Sequence, residues 1–141
     1  MQNLDYELRC DNLVTPQDCN GGVATNADMW RSMKLYRKGL VVIVAALTDT
    51  KTCIAQLQVA TNAAGDDAED VTSKAVTLTG AAATTLNQVG QIEFDVSDLL
   101  AIDATKHYVG VTLTGNQAGD LEGAALIRGA ARYYKGASMP V

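Results

Sequence analysis

Apolar and polar residues alternate along much of the chain, and the alternation has the period of a β-strand. The stretches Gln91–Val96 and His107–Thr114 show it most clearly. Because successive side chains of a strand point to opposite faces, each stretch is predicted to have one face in a core and one face outward. Turns rich in Gly, Asn and Asp separate these stretches. Roughly seven or eight short strands with little helix are typical of a β-sandwich.

One stretch departs from the alternation, since Leu40–Leu47 is apolar at every position. Its length and its β-branched residues predict a strand buried on both faces, and it is the best candidate for the centre of a sheet. After a turn at Thr48–Thr52, Cys53–Thr61 alternates again. One face of this second strand is predicted to carry Cys53, Ala55, Leu57 and Val59. The two strands are predicted to form an antiparallel hairpin or meander.

The later part of the chain contains a helix signal and a long final strand. Ser97 and Asp98 are predicted to cap a single helical turn over Leu99–Ile102. The stretch Leu121–Tyr134 is predicted to form the last strand or strands. Bulges or points of close backbone approach are expected at its glycines, Gly123 and Gly129.

Residues 1–28 are polar and irregular, with Pro16 and the pair Gly21-Gly22. They are predicted to form an extended arm or loops, with at most one short strand near Leu4 to Cys10. Loops longer than about 12 to 15 residues are commonly functional or disordered, so we interpret this one as a segment that lies on a partner. The predicted division is an arm over 1–28 and a single β-sandwich domain over 29–141.

The segment Met29–Lys38 is the basic part of an otherwise acidic chain. It fits a strand that places Arg31 on one face with Met33 and Leu35. It equally fits a helical turn that joins Trp30 to Met33 and Arg37.

This segment also supplies the candidate partner-binding residues. Four of the eleven basic residues lie within eight positions, namely Arg31, Lys34, Arg37 and Lys38. They are predicted to complement an acidic partner surface, with Trp30 and Tyr36 as aromatic anchors. The alternatives are that the charges are only solvated and that Trp30 closes one end of the core.

Composition favours packing against other subunits. Hydrophobic residues make up 48% of the chain but aromatic residues only 5%, so the core must consist of Val, Leu, Ile and Ala. Charged residues make up 19%, below the roughly 25% of average domains. The net charge of −5 argues against nucleic acid as a direct partner. At 141 residues, one domain is expected.

No catalytic, cofactor or metal site is predicted. The chain has one His and three Cys, without a C-x-x-C pair, which suits a reducing compartment, although a Cys10–Cys19 bridge stays an alternative. His107 is interpreted as a partly exposed residue at a strand end and Cys53 as a small buried hydrophobe, rather than as a nucleophilic pair. The acidic run Asp66–Asp70 is interpreted as a solvated loop, with calcium binding as the alternative.

Targeting signals are also absent from the sequence pattern. The first residues show neither a basic region nor an apolar stretch of the kind found in signal peptides. The longest apolar run, Leu40–Leu47, is too short to span a bilayer. Synthesis in a cytoplasm and no membrane partner are expected.

Four stretches together resemble the small decoration, or cement, proteins of tailed bacteriophage heads. They are Leu40–Thr50, Ile54–Gly65, His107–Gly115 and Ala125–Tyr133. The resemblance implies a jelly-roll-like antiparallel β-sandwich made in the bacterial host cytoplasm. It further implies a virion protein on the outer surface of an icosahedral capsid, which cements neighbouring major capsid protein subunits as a dimer or trimer. The family has no catalytic residues to transfer.

Two other functions stay open from the sequence. One is a different virion module, such as a head-fibre base or a tail domain that binds a receptor or glycan. The other is a small jelly-roll enzyme, which needs several His or carboxylate ligands around a metal, and the sequence does not supply them.

Overall fold

The computed structural model of the protein describes residues 8–18, 23–24, 29–81 and 85–131. Almost all regular structure in these residues is β-strand. The strands are β1 (Arg9–Asp18), β2 (Val23–Ala24), β3 (Arg31–Ser32), β4 (Tyr36–Thr48), β5 (Thr52–Ala60), β6 (Glu69–Thr79), β7 (Thr85–Asp95), β8 (Tyr108–Gly115) and β9 (Leu121–Ala131). One short helix, α1 (Val96–Leu100), follows β7 directly.

The strands form two antiparallel sheets, and the predicted all-β sandwich is confirmed. Sheet A has the strand order β1-β9-β4-β7, and sheet B has the order β2-β8-β5-β6, with β3 also paired to β8. Every strand pair is antiparallel. Most neighbours in a sheet are distant in sequence, so the chain passes repeatedly from one sheet to the other.

The core lies between the inward faces of the two sheets and is almost entirely aliphatic. The central strand β4 contributes Val41, Ile43, Ala45 and Leu47, all with no exposed surface. Facing strands bury the residues that alternation predicts, namely Cys53, Ala55, Leu57 and Val59 on β5, Ile92 and Phe94 on β7, and Val109, Val111 and Leu113 on β8. The ring of Phe94 lies so close to Gly39 that a side chain there would collide with it.

Strand β4 is central, as predicted, but it is not buried on both faces. It pairs with β7 on one side and β9 on the other. Its outward residue Val44 is nevertheless 49% exposed. A two-layer sandwich covers only one side of each sheet, so an apolar strand in it keeps its second face in solvent.

The prediction that β4 and β5 form a hairpin is wrong. The two strands lie in opposite sheets, and a turn at Asp49, with φ of 46°, carries the chain across the core. Each strand pairs with others instead: β4 with β7 and β9, and β5 with β6 and β8. Alternation shows which residues face inward. It does not show whether two strands are hydrogen-bonded neighbours or lie in opposite sheets, because both arrangements give the same pattern.

Strand β1 corrects the expectation for the N-terminal region. The prediction of at most one short strand near Leu4 to Cys10 is wrong, because Arg9–Asp18 pairs with β9 at the edge of sheet A. Only Leu13 and Val14 of this strand are buried, and shifts in register flank Val14, so no alternation is visible in the sequence. Pro16 is tolerated because an edge strand leaves one row of N–H groups unused. Residues 1–7, 19–22 and 25–28 of the predicted arm lie outside the described residues.

Two further local predictions have mixed outcomes. Helix α1 begins three residues earlier than predicted, after Asp95, because β7 runs directly into it. The Asp98 carboxylate accepts a hydrogen bond from the Asp95 backbone N–H at 2.9 Å, and this bond lowers the pKa of Asp98. Close approach at Gly123 is confirmed, since Pro16 of β1 packs directly against it.

The packing of β1 gives a test by substitution. Leu13→Ala removes a fully buried side chain, and we expect it to lower the free energy of unfolding by about 2 to 5 kcal/mol in urea denaturation. The matched control is Thr15→Ala, an exposed position two residues along the same strand, for which we expect a change within about 0.5 kcal/mol. Equal, small effects at both positions would show that β1 does not belong to the core.

Candidate functional site

The outer face of sheet A carries an apolar patch on β4 and β9 that extends to Val89 of β7, and we call this patch the apolar face. Gln91 and Glu93 of β7 lie on the same side of the sheet and border it. The residues of the apolar face are Leu40, Val42, Val44 and Ala46 of β4, Val89 of β7, and Leu121, Ala125 and Ile127 of β9. The most exposed are Val44 at 49%, Leu121 at 53% and Val89 at 61%. Strand pairing makes the patch continuous, since Val44 lies opposite Val89 on one side and opposite Gly123 on the other.

A shallow depression lies in the apolar face, with Gly123 in its lining. The depression has a volume of about 320 Å³, and Pro16, Val44, Leu121 and Ala125 are among the residues that line it. Two polar side chains line its border, and both are uncharged: Asn12 and Asn87. The depression therefore offers a concave, uncharged surface to another molecule.

The outer face of sheet B has a different character. It carries Gln56 and Gln58 on β5, Thr77 and Thr79 on β6, and Thr112 and Thr114 on β8, with Ile54 as its large exposed apolar residue. This is the polar surface expected for a sheet that faces water. A contiguous apolar patch on the other sheet is the kind of surface that marks an interaction site.

A second surface feature is a cavity of about 480 Å³ at the end of the sandwich where β1, β3 and β9 meet, which we call the basic cavity. It is lined by Arg9 and Asp11 of β1, Trp30, Arg31, Ser32, Lys34 and Leu35 of the following segment, Tyr36 of β4, and Arg128 of β9. The segment is neither one strand nor a helical turn. It contains the two-residue β3, a turn at Lys34 and Leu35, and the start of β4.

The structure brings together four of the six residues that the sequence singles out. Trp30, Arg31, Lys34 and Tyr36 line the basic cavity, whereas Arg37 and Lys38 are exposed on β4 and do not line it. Trp30 is only 6% exposed, and its ring packs against Gly65 and Gly110. This burial favours the interpretation in which Trp30 closes one end of the core.

Arg128, which sequence reasoning missed, organises the basic cavity. It is 8% exposed, and its Nη1 donates a hydrogen bond to the Ser32 carbonyl at 2.7 Å. Its Nη2 pairs with the Asp11 carboxylate, and its guanidinium lies 4.8 Å from the centre of the Tyr36 ring. A signal was present, since alternation along β9 places Arg128 on the inward face with Ala124 and Leu126.

Two further arginines of the basic cavity contact groups of β1. Arg9 Nε lies 3.5 Å from Asp11 Oδ1. Arg31 donates from Nη2 to the Asn12 carbonyl at 3.2 Å, which links β3 of sheet B to β1 of sheet A. Arginine contacts therefore join the two sheets at this edge.

The acidic loop after β5 is held by a lysine of the same chain. Lys106, 8% exposed, donates to the Asp67 carbonyl at 2.8 Å and to the Glu69 carboxylate at 2.9 Å. The hydrogen bond to Glu69 raises the pKa of Lys106, and hydrogen bonding from Thr61 lowers the pKa of Asp67. Within the ranges that the structure describes, no three His, Cys, Asp or Glu side chains are grouped so as to hold a metal ion.

The predicted roles of Cys53 and His107 agree with their positions. Cys53 is fully buried, and His107 is half-buried immediately before β8. Cys53 lies opposite Gly115 at the far end of β8, so the two side chains are about 25 Å apart at roughly 3.3 Å per residue. They do not form a nucleophilic pair. Cys10 is exposed on β1, and Cys19 lies outside the described residues.

A buried acidic group lies beside Cys53. Glu122 is 1% exposed and points inward from β9, so that its carboxylate lies against Gly115. Burial raises the pKa of the Cys53 thiol to about 12, and the charge of Glu122 and a hydrogen bond to it act in the same direction. Nearby, the Asp120 carboxylate accepts hydrogen bonds from the backbone N–H and, at 2.8 Å, the hydroxyl of Thr48.

Comparison with known proteins assigns no family to the chain. No family model matches its sequence, and no curated protein matches it significantly. Among the described residues there is also no helix with the length and apolar character needed to cross a membrane. The function must therefore be inferred from the residues and their geometry.

The environment of Cys53 leads to a prediction about pH. In the unfolded chain the thiol ionises with its ordinary pKa of 9.0, whereas in the folded protein burial raises that pKa to about 12. Above pH 9 the thiol therefore ionises in the unfolded chain but stays protonated in the folded protein. The free energy of unfolding consequently falls as pH rises from about 9 to about 12. In a C10S/C19S background, we expect the urea midpoint to fall more steeply over this range than in the same background carrying Cys53→Ala.

The same background tests the thiol directly. Cys53 is expected to react with an aromatic disulfide reagent at neutral pH only after unfolding, because the folded thiol is buried and protonated. Labelling of the folded protein at the rate of the unfolded protein would contradict this assignment.

Proposed function

We propose that the chain is a virion structural protein that binds the outer surface of an icosahedral phage capsid and cements neighbouring major capsid protein subunits. The observation that carries the proposal is the apolar face, a continuous patch on one sheet of an otherwise polar sandwich. The sequence resemblance to head decoration proteins supplies the kind of partner. Such a protein binds its partner and does not catalyse a reaction.

The strand order supports the jelly-roll form of the sandwich. Strands from the two ends of the chain are neighbours in both sheets, β1 beside β9 in sheet A and β2 beside β8 in sheet B. The chain changes sheet after β1, β3, β4, β6, β7 and β8. Nested pairing of early with late strands is characteristic of two interlocked Greek keys.

The apolar face provides the free energy of docking. Burial of apolar surface contributes about 25 cal/mol per Å², and a specific contact typically buries about 800 Å² on each partner. Val44, Val89 and Leu121 lose little hydration energy on docking because they carry no polar side-chain atoms. Many copies on one shell add their contributions and so oppose the pressure of the packaged DNA.

The proposed partners follow from the sequence resemblance. The major capsid protein is the docking partner, and the chain acts as a homo-oligomer, a dimer or trimer, as the resemblance implies. The net charge of −5 disfavours direct contact with the packaged nucleic acid.

Charge placed on the apolar face tests the proposal. Val44→Asp puts a carboxylate on an exposed position, so the sandwich stays folded while docking requires a charge to be buried. Heads assembled without this protein are incubated with each purified variant and sedimented. We expect the wild-type protein to co-sediment and Val44→Asp to lose affinity by more than roughly tenfold.

The matched control is Thr77→Asp, an exposed strand position on the outer face of sheet B. It is expected to bind like the wild-type protein, and circular dichroism verifies that both variants are folded. The proposal fails if wild-type protein ignores the heads, or if the two substitutions weaken binding equally.

A further inference from the structure

We propose that the basic cavity is a binding site for a ligand that carries two or more carboxylates on a carbon frame, such as an acidic peptide segment or an organic polyacid. Four cationic side chains line it, Arg9, Arg31, Lys34 and Arg128, against the single carboxylate of Asp11. Three positive charges are left without compensation in the lining. The whole chain has a net charge of −5, so this concentration is local.

The charges of the lining divide into two pairs. Asp11 lies between Arg9 and Arg128 and is within ion-pair distance of both. Arg31 and Lys34 have no carboxylate within 4.0 Å among the residues that the structure describes. These two cations are therefore the ones available to a ligand.

Two arginine donors of the lining support the same conclusion. The Nε–H groups of Arg31 and Arg128 are buried and have no hydrogen-bond partner within the described ranges. A buried donor without a partner costs about 1 to 3 kcal/mol, and such groups in native proteins call for an explanation. A guanidinium presents its donors as a planar fork that matches a carboxylate. Asp11 shows that a carboxylate is accommodated in the cavity, since one atom of Arg9 and one of Arg128 pair with its two oxygens.

The shape of the cavity argues for an organic acid rather than a bare inorganic ion. Its volume of about 480 Å³ falls within the range of small-molecule sites, roughly 300 to 1,000 Å³. Trp30, Leu35 and Tyr36 provide apolar wall beside the cations. Methylene groups of a glutamate side chain or a polyacid find contact there, whereas a hydrated inorganic anion does not.

This inference does not depend on the proposed function, because it rests on the basic cavity and not on the apolar face. A negative result in the capsid experiment therefore leaves the ligand proposal standing, and a negative result in the ligand experiment leaves the capsid proposal standing. A protein that binds heads but no carboxylate, or the reverse, would separate the two proposals.

The single tryptophan of the chain makes the test direct, because Trp30 lines the cavity and reports on it by fluorescence. Full-length protein is titrated with tetraglutamate, citrate or inorganic phosphate at low ionic strength, by Trp fluorescence and by calorimetry. We expect tetraglutamate or citrate to bind one per chain, at least tenfold more tightly than phosphate. Binding of tetraglutamate identifies an acidic peptide as the source of the carboxylates, and binding of citrate alone identifies a free polyacid.

Matched variants locate the ligand. Lys34→Gln removes an exposed cation of the cavity and is expected to weaken carboxylate binding at least fivefold. Lys51→Gln makes the same change in the turn between β4 and β5, away from the cavity lining, and is expected to change binding less than twofold. The proposal is overturned if neither carboxylate binds, if phosphate binds as tightly, or if Lys51→Gln weakens binding as much as Lys34→Gln.

Discussion

A strand in a two-layer sandwich can bury only one of its faces, and the central strand of this protein is apolar on both. Once Val41, Ile43, Ala45 and Leu47 fill the core, the period of two forces the alternate residues of β4 outward. Neighbouring β9 follows the same rule and exposes Leu121. The apolar face is thus a direct consequence of which residues of β4 the sandwich buries.

The two buried charged side chains of β9 lie where the apolar core ends. Strand β9 points Glu122 inward near one end and Arg128 inward near the other, with Ala124 and Leu126 between them. Arg128 is compensated by Asp11 and the Ser32 carbonyl, which come from β1 and β3. Hydrogen bonds from Arg128 to the Ser32 carbonyl and from Arg31 to the Asn12 carbonyl therefore link the two sheets at this edge, whereas the ion pairs of Asp11 lie within sheet A. The basic cavity exists because the aliphatic core stops before the edge.

The sequence was sufficient for elements whose burial is regular. The inward faces of β5, β7 and β8 were predicted because each strand packs along its length against a flat apolar layer. Strand β1 was missed because an edge strand with register shifts buries only Leu13 and Val14. The strand partners were also beyond reach, since alternation reveals a face but not a neighbour. For this reason the pattern predicts a hairpin for β4 and β5, which in fact lie in opposite sheets.

The basic cavity shows the same limit at the level of a site. Its contiguous part, Trp30 to Tyr36, was identified because the residues stand together in the chain. Arg9 and Arg128 are 119 positions apart and meet only through the pairing of β1 with β9, in which they are direct partners. Local sequence patterns cannot reveal that two residues so distant in the chain lie side by side. An arginine at an inward position of an alternating strand was the available signal.

The central claim is that the apolar face is covered when the protein works. Hydroxyl-radical footprinting followed by mass spectrometry measures this side chain by side chain, in the free protein and in purified phage particles. The account predicts that Val44, Val89 and Leu121 are oxidised in the free protein and protected in particles, while Ile54 on the outer face of sheet B, 43% exposed, is oxidised in both. Equal oxidation of the apolar face in the two states would contradict it.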